Sequence, residues 1–293
     1  MTMATPSRHK TTGVQPPQPK TFALALAGGG ARALGEIAVL EAIDEMGVKP
    51  VAIAGASLGA LIGAAYASGM DGKAIRRHVI ERAHDRAGTL SRVMATRAVA
   101  LSAFITAPFG NPMLVDATKF CATFLPPSVP DDFGALAIPL IVVATDLYAR
   151  SEITFSAGPL KPALAASMAV PGVVRPMEIE GRVLVDGAAV NPLPFDHLRG
   201  LADVIVAVDC SGGPSEPRGI PDPWDALFAS IHVMGQSIVA EKLKNGGPDL
   251  VIRPNVGTFR LLDFFHASAI LRAAEPVKAE VKEKLGALLS ADP

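Results

Sequence analysis

The sequence is poor in cysteine, in aromatic residues and in excess charge of either sign. Its 293 residues include 2 cysteines, Cys121 and Cys210, which lie far apart and outside any CxxC pair, so we expect neither a disulfide framework nor a metal cluster. Lys and Arg number 27 against 28 Asp and Glu, which gives no whole-chain basis for binding nucleic acid. No nucleic-acid partner, metal or cofactor is predicted.

The N-terminus lacks the apolar segment of a signal peptide. Residues 1–20 are polar and rich in Pro, Gln, Thr and Lys, so we expect a disordered tail, then a single domain over residues 21–293, in a cytoplasmic protein. One run, Val51 to Met70, has no charge and is long enough to cross a bilayer. Its four glycines, and the motif at its centre, favour a buried strand, turn and helix instead.

Short apolar runs alternate with amphipathic segments along most of the chain. TFALALA at residues 21–27 is typical of a strand buried on both faces, and apolar residues recur every three positions from Leu34 to Met46. Further strands are predicted at 51–55, 139–146, 182–187, 203–209 and 249–254, and further helices at 72–86, 161–169, 224–244 and 264–289. This alternation favours an α/β fold whose mostly parallel central sheet is covered on both faces.

Residues 89–133 fit the alternation poorly. They contain Arg92 and Arg97 and then an uncharged stretch, Ala98 to Val115, that prolines interrupt. Because an interior proline costs a helix about 3 kcal/mol, a continuous membrane-spanning helix is disfavoured there. Two interpretations stay open: a helical cap or lid over a site, and an ordinary helical insertion packed on the core.

A glycine-rich loop follows the first predicted strand. AGGGARALG at residues 27–35 satisfies the dinucleotide fingerprint G-x-G-x-x-A through Gly28, Gly30 and Ala33. That fingerprint also needs a carboxylate at the end of the next strand, to hold a ribose hydroxyl. The next strand ends in GASLG, residues 55–59, which has no carboxylate. A dinucleotide site is therefore disfavoured.

GASLG has instead the spacing G-x-S-x-G of a nucleophile elbow, between a predicted strand and a predicted helix. In such an elbow a sharp turn exposes the serine, here Ser57. Glycines at the flanking positions, Gly55 and Gly59, let the strand and the helix approach that turn closely. The sequence therefore predicts Ser57 as a nucleophile, which needs a base.

Two kinds of base are available. A histidine triad would use His197, His232 or His266, but none of them follows a predicted strand in a recognisable loop, and we expect each to be a surface or core residue. Asp186 ends the strand RVLVD and precedes Gly187, where a carboxylate can take a proton from a serine in a dry site. An aspartate that caps its own turn is the alternative for this residue.

Three elements in order, GGGARALGEIAVLEAI from Gly28, GASLG from Gly55 and DGA from Asp186, resemble the patatin-like phospholipases. The pattern of that family is a G-G-G-x-R-G loop, G-x-S-x-G and D-G-[GA]. PALAASMAVPGVVRPMEI, from Pro162, is similar to the segment that precedes the aspartate strand in bacterial members. The resemblance covers Phe22 to Pro254. It implies a three-layer α/β/α sandwich and a lipid acyl hydrolase with a Ser/Asp dyad and no histidine.

Carried over to this chain, the resemblance makes Ser57 the nucleophile and Asp186 the general base. It assigns the oxyanion hole to the backbone amides of the glycine loop with help from the adjacent arginine, here Gly28, Gly29, Gly30 and Arg32. The chain departs from the family in having Ala33 where a glycine is usual, so we expect a small difference at the loop exit.

The implied reaction is hydrolysis of a carboxylic ester of a lipid through an acyl-serine intermediate. The implied partner is a lipid or acyl-ester substrate, met in transient contact with a membrane surface at most, because the chain is nearly neutral, with a net charge of −1, and has no large charge to hold it there. Two alternatives stay open: a lipid acyltransferase that uses the same site, and a lipid-binding regulatory protein with little turnover.

Overall fold

A mixed sheet of eight strands forms the middle of the structure, a computed structural model that describes residues 20–85, 115–213 and 219–290. The strands are β1 (Phe22–Leu26), β2 (Ile53–Ala56), β3 (Leu140–Asp146), β4 (Ser151–Phe155), β5 (Met177–Ile179), β6 (Arg182–Asp186), β7 (Val204–Val208) and β8 (Leu250–Ile252). Their order is β5-β6-β3-β2-β1-β7-β8, and β4 also pairs with β3.

The sheet has a parallel part and an antiparallel part. Strands β3, β2, β1, β7 and β8 run parallel to one another, as predicted. Strands β4 and β6 run antiparallel to β3, and β5 runs antiparallel to β6. Strands β4 and β5 were not predicted because both are half-exposed, and thus lack the apolar run that marks the buried strands.

Helices cover both faces of the sheet. They are α1 (Glu36–Glu45), α2 (Leu58–Ala67), α3 (Gly72–His84), α4 (Ala117–Phe124), α5 (Leu160–Ser167), α6 (Pro223–Lys244), α7 (Ala267–Ala274) and α8 (Val277–Ser290), with a 3-10 helix over Gly30–Gly35. Along β1, Phe22, Leu24 and Leu26 pack into the core that contains α1, α2 and α8. The alternate alanines of β1 pack with Phe195 and with Val239 of α6. The predicted three-layer α/β/α sandwich is confirmed.

The uncharged run Val51 to Met70 forms β2, a turn and α2, and α2 is buried along its whole length. It lies inside the protein because small side chains let it pack in the centre of the sandwich. Within the described residues, no helix combines the length and the apolar character that crossing a membrane requires. The interpretation of this run as buried core is confirmed.

Some predicted boundaries change. The predicted helix at 264–289 is a 3-10 turn followed by α7 and α8, which are separated at Pro276, a residue that cannot donate a helical hydrogen bond. The predicted tail falls on residues outside those described, apart from Lys20, and so do residues 89–114 of the predicted lid. The rest of that segment is packed on the protein: Val115 bridges to Val174, and Cys121 of α4 is buried in the core.

Candidate active site

Ser57 occupies a strained turn between β2 and α2. Its backbone has φ 52° and ψ −130°, a region that costs a residue with a side chain about 1–3 kcal/mol. Gly59 lets this turn pack against the sheet, since a Cβ there would come within 2.6 Å of the carbonyl oxygen of Ala27. At Gly55 a Cβ would come within 2.6 Å of the Cα atom of Ala60. The G-x-S-x-G spacing is therefore a requirement of local packing.

Sheet pairing brings Asp186 next to this turn. Residues 140–143 of β3 pair with β2, whereas residues 144–146 pair with β6. Both β2 and β6 use the same edge of β3, because β4 occupies the other edge along residues 142–146. Ala56, at the end of β2, is thus opposite Val143, and Asp186 is opposite Ala144. Along this edge of β3, the pairing with β6 therefore begins at the residue after the last one that pairs with β2.

The predicted nucleophile and base are hydrogen-bonded to each other. The Ser57 hydroxyl donates to Oδ2 of Asp186 at 2.6 Å, and both residues are about 95% buried, with exposures of 6% and 5%. The Ser57 backbone N–H donates to the Ser167 hydroxyl at 2.8 Å, which holds the turn from the side of α5. The serine hydroxyl is therefore oriented in advance toward one carboxylate oxygen.

Asp186 is fixed by three further hydrogen bonds. Its Oδ1 accepts from the N–H of Ala188 at 2.8 Å, so the turn-capping interpretation holds for Oδ1 while Oδ2 faces Ser57. Its backbone N–H donates to the carbonyl of Ala169, and its carbonyl accepts from the Thr145 hydroxyl. Burial raises the pKa of Asp186 to about 6, against the lowering effect of the Ser57 and Ala188 hydrogen bonds. This carboxylate is a stronger base than usual and is still mostly ionised at pH 7.

The glycine loop lies beside the Ser57 hydroxyl, but its three amides are not equivalent. The N–H of Gly28 donates to the carbonyl of Pro192 at 2.9 Å. Within the part of the chain that the structure describes, the N–H groups of Gly29 and Gly30 have no acceptor. A side chain at Gly28 would come within 2.7 Å of the Ala188 methyl, so only glycine fits there. Two amides, rather than the expected three, are available to a ligand.

Arg32 is turned away from Ser57. Its Nε donates to the carbonyl of Phe259 at 2.7 Å, and its Nη1 donates to the carbonyl of Ser211 at 2.8 Å and lies 2.6 Å from Nε2 of His232. The structure therefore does not bring this guanidinium together with the serine hydroxyl. Arg32 instead ties the glycine loop to the segments that follow β7 and β8. Sequence reasoning missed this function because the two carbonyls lie 179 and 227 residues away.

Ala33, the departure from the family pattern, fits its position. It is fully buried in the 3-10 helix Gly30–Gly35, and its φ is not positive, so an alanine causes no strain there.

The three candidate histidines have other partners in the described structure. His197 is hydrogen-bonded to Glu152, and the exposed His266 pairs with Asp263. His232 lines the cavity next to Ser57, but its Nε2 lies 2.6 Å from the carbonyl of Ser211 and burial lowers its pKa. None of the three is within hydrogen-bond distance of the Ser57 hydroxyl.

One group of potential metal ligands is present among the described residues: Glu152, Asp196 and His197 lie within 4.8 Å of one another. The Asn191 side-chain amide donates to both carboxylates, and the Lys242 ammonium is bonded to Asp196. The negative charge of this group is thus balanced by the protein itself.

Ser57, Asp186 and the glycine loop open into a cavity of about 250 Å³. Most of its wall is apolar. The lining includes Leu58, Phe120, Met168, Val170, Val173, Ile231, Met234, Leu261, Leu262 and Phe264. An apolar cavity with a few convergent polar groups is the usual form of a site for a small or chain-like ligand.

A family model described as patatin-like phospholipase matches residues 24–199, which contain the glycine loop, the elbow and Asp186. The chain belongs to the patatin-like phospholipase family. An uncharacterized NTE family protein of Mycobacterium tuberculosis is 34% identical over 222 residues, which are 75% of this chain and 57% of that protein. Patatin-like phospholipase domain-containing protein 6 of Homo sapiens is 30% identical over 64% of this chain and 13% of that protein. The chain thus spans little more than half of the mycobacterial relative.

The fold is also similar to a solved structure, VipD from Legionella pneumophila. The TM-score is 0.50 at 14% sequence identity, and the match covers 91% of this chain and 67% of VipD. At that identity the likeness concerns the fold alone.

Proposed function

We propose that the protein is a serine acyl hydrolase that cleaves carboxylic esters of lipids with a Ser57/Asp186 dyad. The observation that supports this most is the 2.6 Å hydrogen bond from the Ser57 hydroxyl to a buried carboxylate, at the wall of an apolar cavity. Membership of the patatin-like phospholipase family supports a lipid as the substrate. No step of the proposed reaction needs a metal or a cofactor.

In the first half of the reaction, Ser57 Oγ attacks the ester carbonyl carbon while Asp186 Oδ2 takes the hydroxyl proton. The carbonyl oxygen becomes an oxyanion, which the N–H groups of Gly29 and Gly30 are available to stabilise; each such donor is worth about 3–4 kcal/mol in other hydrolases. The C–O bond then breaks, the leaving alcohol takes the proton from Asp186, and the acyl group stays on Ser57.

In the second half, Asp186 takes a proton from a water molecule whose oxygen attacks the acyl carbon. The bond from Ser57 Oγ to that carbon breaks, Oγ regains a proton from Asp186, and a free carboxylic acid leaves. Arg32 contributes indirectly, because its hydrogen bonds to the carbonyls of Ser211 and Phe259 hold the loop that presents the amides. The proton of the Ser57 hydroxyl thus moves to and from Asp186, with which that hydroxyl is already hydrogen-bonded.

We also infer that substrate is reached at a lipid surface. Leu262, which lines the cavity that contains Ser57, and the nearby Phe265 keep 46% and 41% of their area exposed. Both can enter a lipid surface in the transient contact that we expect.

The test is hydrolysis of p-nitrophenyl butyrate by the wild type, Ser57→Ala, Asp186→Asn and a matched control, Asp146→Asn. Asp146 is also a buried aspartate at a strand end, and its Oδ1 accepts the N–H groups of Tyr148 and Ala149. We expect turnover by the wild type and the control, and at least a thousandfold loss in both dyad variants, with folding verified by thermal melting.

Two results would contradict the dyad. One is retention of activity by folded Asp186→Asn together with its loss in His232→Gln, which would make the base a histidine. The other is a wild type that binds lipid vesicles but hydrolyses no ester, as a regulatory protein would. The acyltransferase alternative predicts that added glycerol or lysolipid acceptors yield acylated acceptor in place of free fatty acid.

A further inference from the structure

A second apolar cavity, of about 220 Å³, adjoins the one that contains Ser57. It lies between α2, α3, α4 and the segment before α7. Its lining residues are Leu34, Leu58, Leu61, Ile62, Ala65, Ile75, His78, Val79, Arg82, Ala83, Phe120, Phe124, Pro126, Val173, Leu262, Phe264 and Phe265. Two of these carry ionisable groups, and both are on α3. No step of the proposed reaction uses this cavity.

The two cavities share part of their walls. Five residues line both: Leu58, Phe120, Val173, Leu262 and Phe264. Leu58 is the residue that directly follows Ser57, so the shared wall begins next to the reacting hydroxyl. A passage from the first cavity to the second would therefore begin beside Leu58.

Helix α2 supplies one continuous wall along this route. Leu58, Leu61, Ile62 and Ala65 are spaced i, i+3, i+4 and i+7, so they lie on one face of the helix and span about 10 Å along its axis. Helix α2 contains no charged residue. The helix that presents the nucleophile thus also forms an apolar track that leads away from it.

Aromatic side chains are concentrated at the same cavity in a chain that has few of them. Phe120, Phe124, Phe264 and Phe265 are four of its 12 phenylalanines. The rings of Phe120 and Phe124 are 5.1 Å apart, and those of Phe124 and Phe264 are 6.0 Å apart. A concave, mostly apolar pocket lined by aromatic rings is typical of a binding site for an apolar ligand.

The ionisable groups on α3 do not make the cavity polar. Nε2 of His78 is 2.9 Å from the carbonyl of Phe124, and burial lowers the pKa of His78, which keeps the ring neutral at pH 7. Arg82 is half-buried and has partners of its own. The rest of the cavity wall is apolar, so the cavity suits a hydrocarbon chain better than a polar headgroup.

We propose that the second cavity holds the distal part of the acyl chain whose carbonyl carbon lies at Ser57, so that the enzyme prefers long-chain to short-chain acyl esters. The proposal rests on the proposed hydrolase activity. The first cavity takes the ester and the first methylene groups, and the second takes the remainder. Each buried methylene contributes about 0.8 kcal/mol, so the second cavity would set the chain-length preference.

The test fills the second cavity from its outer wall. Val79→Trp places a large ring on α3, at a half-buried position that lines the cavity. Arg77→Trp is the matched control, because Arg77 is exposed on the same helix and does not line the cavity. We would measure kcat/KM for p-nitrophenyl butyrate and p-nitrophenyl palmitate with both variants and the wild type.

We expect the palmitate-to-butyrate ratio of kcat/KM to be above one in the wild type. In Val79→Trp it should fall about tenfold, which corresponds to the loss of about two buried methylenes, and in Arg77→Trp it should not change. Ala83→Leu adds a smaller side chain to the same wall and provides an independent test if Val79→Trp fails to fold. For it we expect a fall in the ratio that is smaller but in the same direction.

The outcomes separate this proposal from the proposed function. If the wild type hydrolyses neither ester, the hydrolase proposal fails and this one fails with it. If both esters are hydrolysed and the folded Val79→Trp and Ala83→Leu variants keep the wild-type ratio, only the second cavity is wrongly assigned. A fall in activity on a diacyl phospholipid with an unchanged p-nitrophenyl ester ratio would place a second acyl chain there, and would overturn the proposal.

Discussion

Asp186 is the residue whose chemistry depends most on its surroundings. In water an aspartate is a weak base, but burial at the end of β6 raises the pKa of this one to about 6. The same burial leaves the Ser57 hydroxyl as the hydrogen-bond partner of Oδ2. The proposed role of Asp186 as a base needs a pKa near the working pH, and the exclusion of water from this carboxylate favours such a pKa.

The raised pKa gives the first prediction. Only the ionised form of Asp186 can accept the Ser57 proton, so kcat/KM should fall as pH drops through about 6 and should be constant above about pH 7. The measurement is a pH profile with p-nitrophenyl butyrate, at concentrations well below KM. Loss of the inflection in folded His232→Gln would assign the titration to His232 instead.

Glu36 is a second buried carboxyl group, at the start of α1 behind the glycine loop. It is fully buried, and its Oε1 accepts the N–H of Ala27 at 2.6 Å, at the point where β1 leads into the loop. Its Oε2 has no hydrogen-bond partner among the described residues. Burial raises the pKa of Glu36 well above its ordinary value, which favours the neutral acid. Sequence analysis had no signal for this residue, because a glutamate in the first turn of a helix is ordinary.

The second prediction concerns the pH dependence of stability. Because the folded-state pKa of Glu36 is raised, its contribution to stability is complete below the unfolded-state pKa of about 4.3 and is lost as pH rises toward the folded-state value. Glu36→Gln keeps an acceptor for Ala27 and removes the titration. Its free energy of unfolding relative to the wild type should therefore be higher at pH 8 than at pH 4, as measured by urea unfolding. An equal difference at both pH values would contradict the argument.

At the scale of elements, the elbow is held by backbone packing. Gly59 and Gly63 both lie in α2, one turn apart, but their surroundings differ. A Cβ on Gly59 would meet backbone atoms of β1 at 2.6–2.7 Å, whereas a Cβ on Gly63 would meet the Cγ2 of Ile53 at 3.1 Å, a side-chain atom that can move. The first contact cannot relax without separating α2 from the sheet.

The third prediction compares Gly59→Ala with Gly63→Ala. Both gain about 1 kcal/mol of helix propensity, so the difference between them reports the packing alone. We expect Gly59→Ala to lower the free energy of unfolding by at least about 2 kcal/mol and to abolish ester hydrolysis, and Gly63→Ala to lie within about 1 kcal/mol of the wild type. Chemical denaturation and kcat/KM measure both effects. Similar stabilities for the two variants would show that the elbow tolerates a side chain.

The sequence predicts well what local packing requires. The glycines around Ser57 could be read in advance because the strand, turn and helix that need them are adjacent in the chain, and the apolar runs marked six of the eight strands. Strands β4 and β5 could not be predicted, since both are half-exposed and are stabilised by pairing with β3 and β6. The hydrogen bond from the Gly28 amide to Pro192 and those from Arg32 to distant carbonyls could not be predicted either. Both depend on contacts across the whole sheet.

At the scale of the whole molecule, the segment that the family model matches is not the whole folding unit. Strand β7 and helices α6 to α8 follow residue 199, yet β7 pairs with β1 at the centre of the sheet. Residues of the same region also line the proposed site, among them His232 and Leu261. The geometry of the proposed site, whose Ser57 and Asp186 lie within the matched residues 24–199, therefore depends on the packing of helices from the rest of the chain against that segment.

A buried ion-pair network makes one of these connections and gives the fourth prediction. Glu41 of α1, with 2% of its area exposed, accepts hydrogen bonds from Arg76 of α3 at 2.5 and 2.7 Å and lies 2.5 Å from the ammonium of Lys278 of α8. Glu41→Gln removes the buried anion and leaves Arg76 and Lys278 with the exposed Glu275 as their remaining shared partner, so we expect it to lower the free energy of unfolding by about 2 kcal/mol.

The matched control is Glu280→Gln, which breaks an exposed pair with Lys284 within α8 and should cost less than about 1 kcal/mol. Chemical denaturation measures both variants. Because Glu41 lines neither cavity, kcat/KM of Glu41→Gln should match the wild type well below its melting temperature. A small and equal cost for both variants would mean that burial adds nothing to the Glu41 network, and that apolar packing of α1 against α8 is what joins the two halves of the chain.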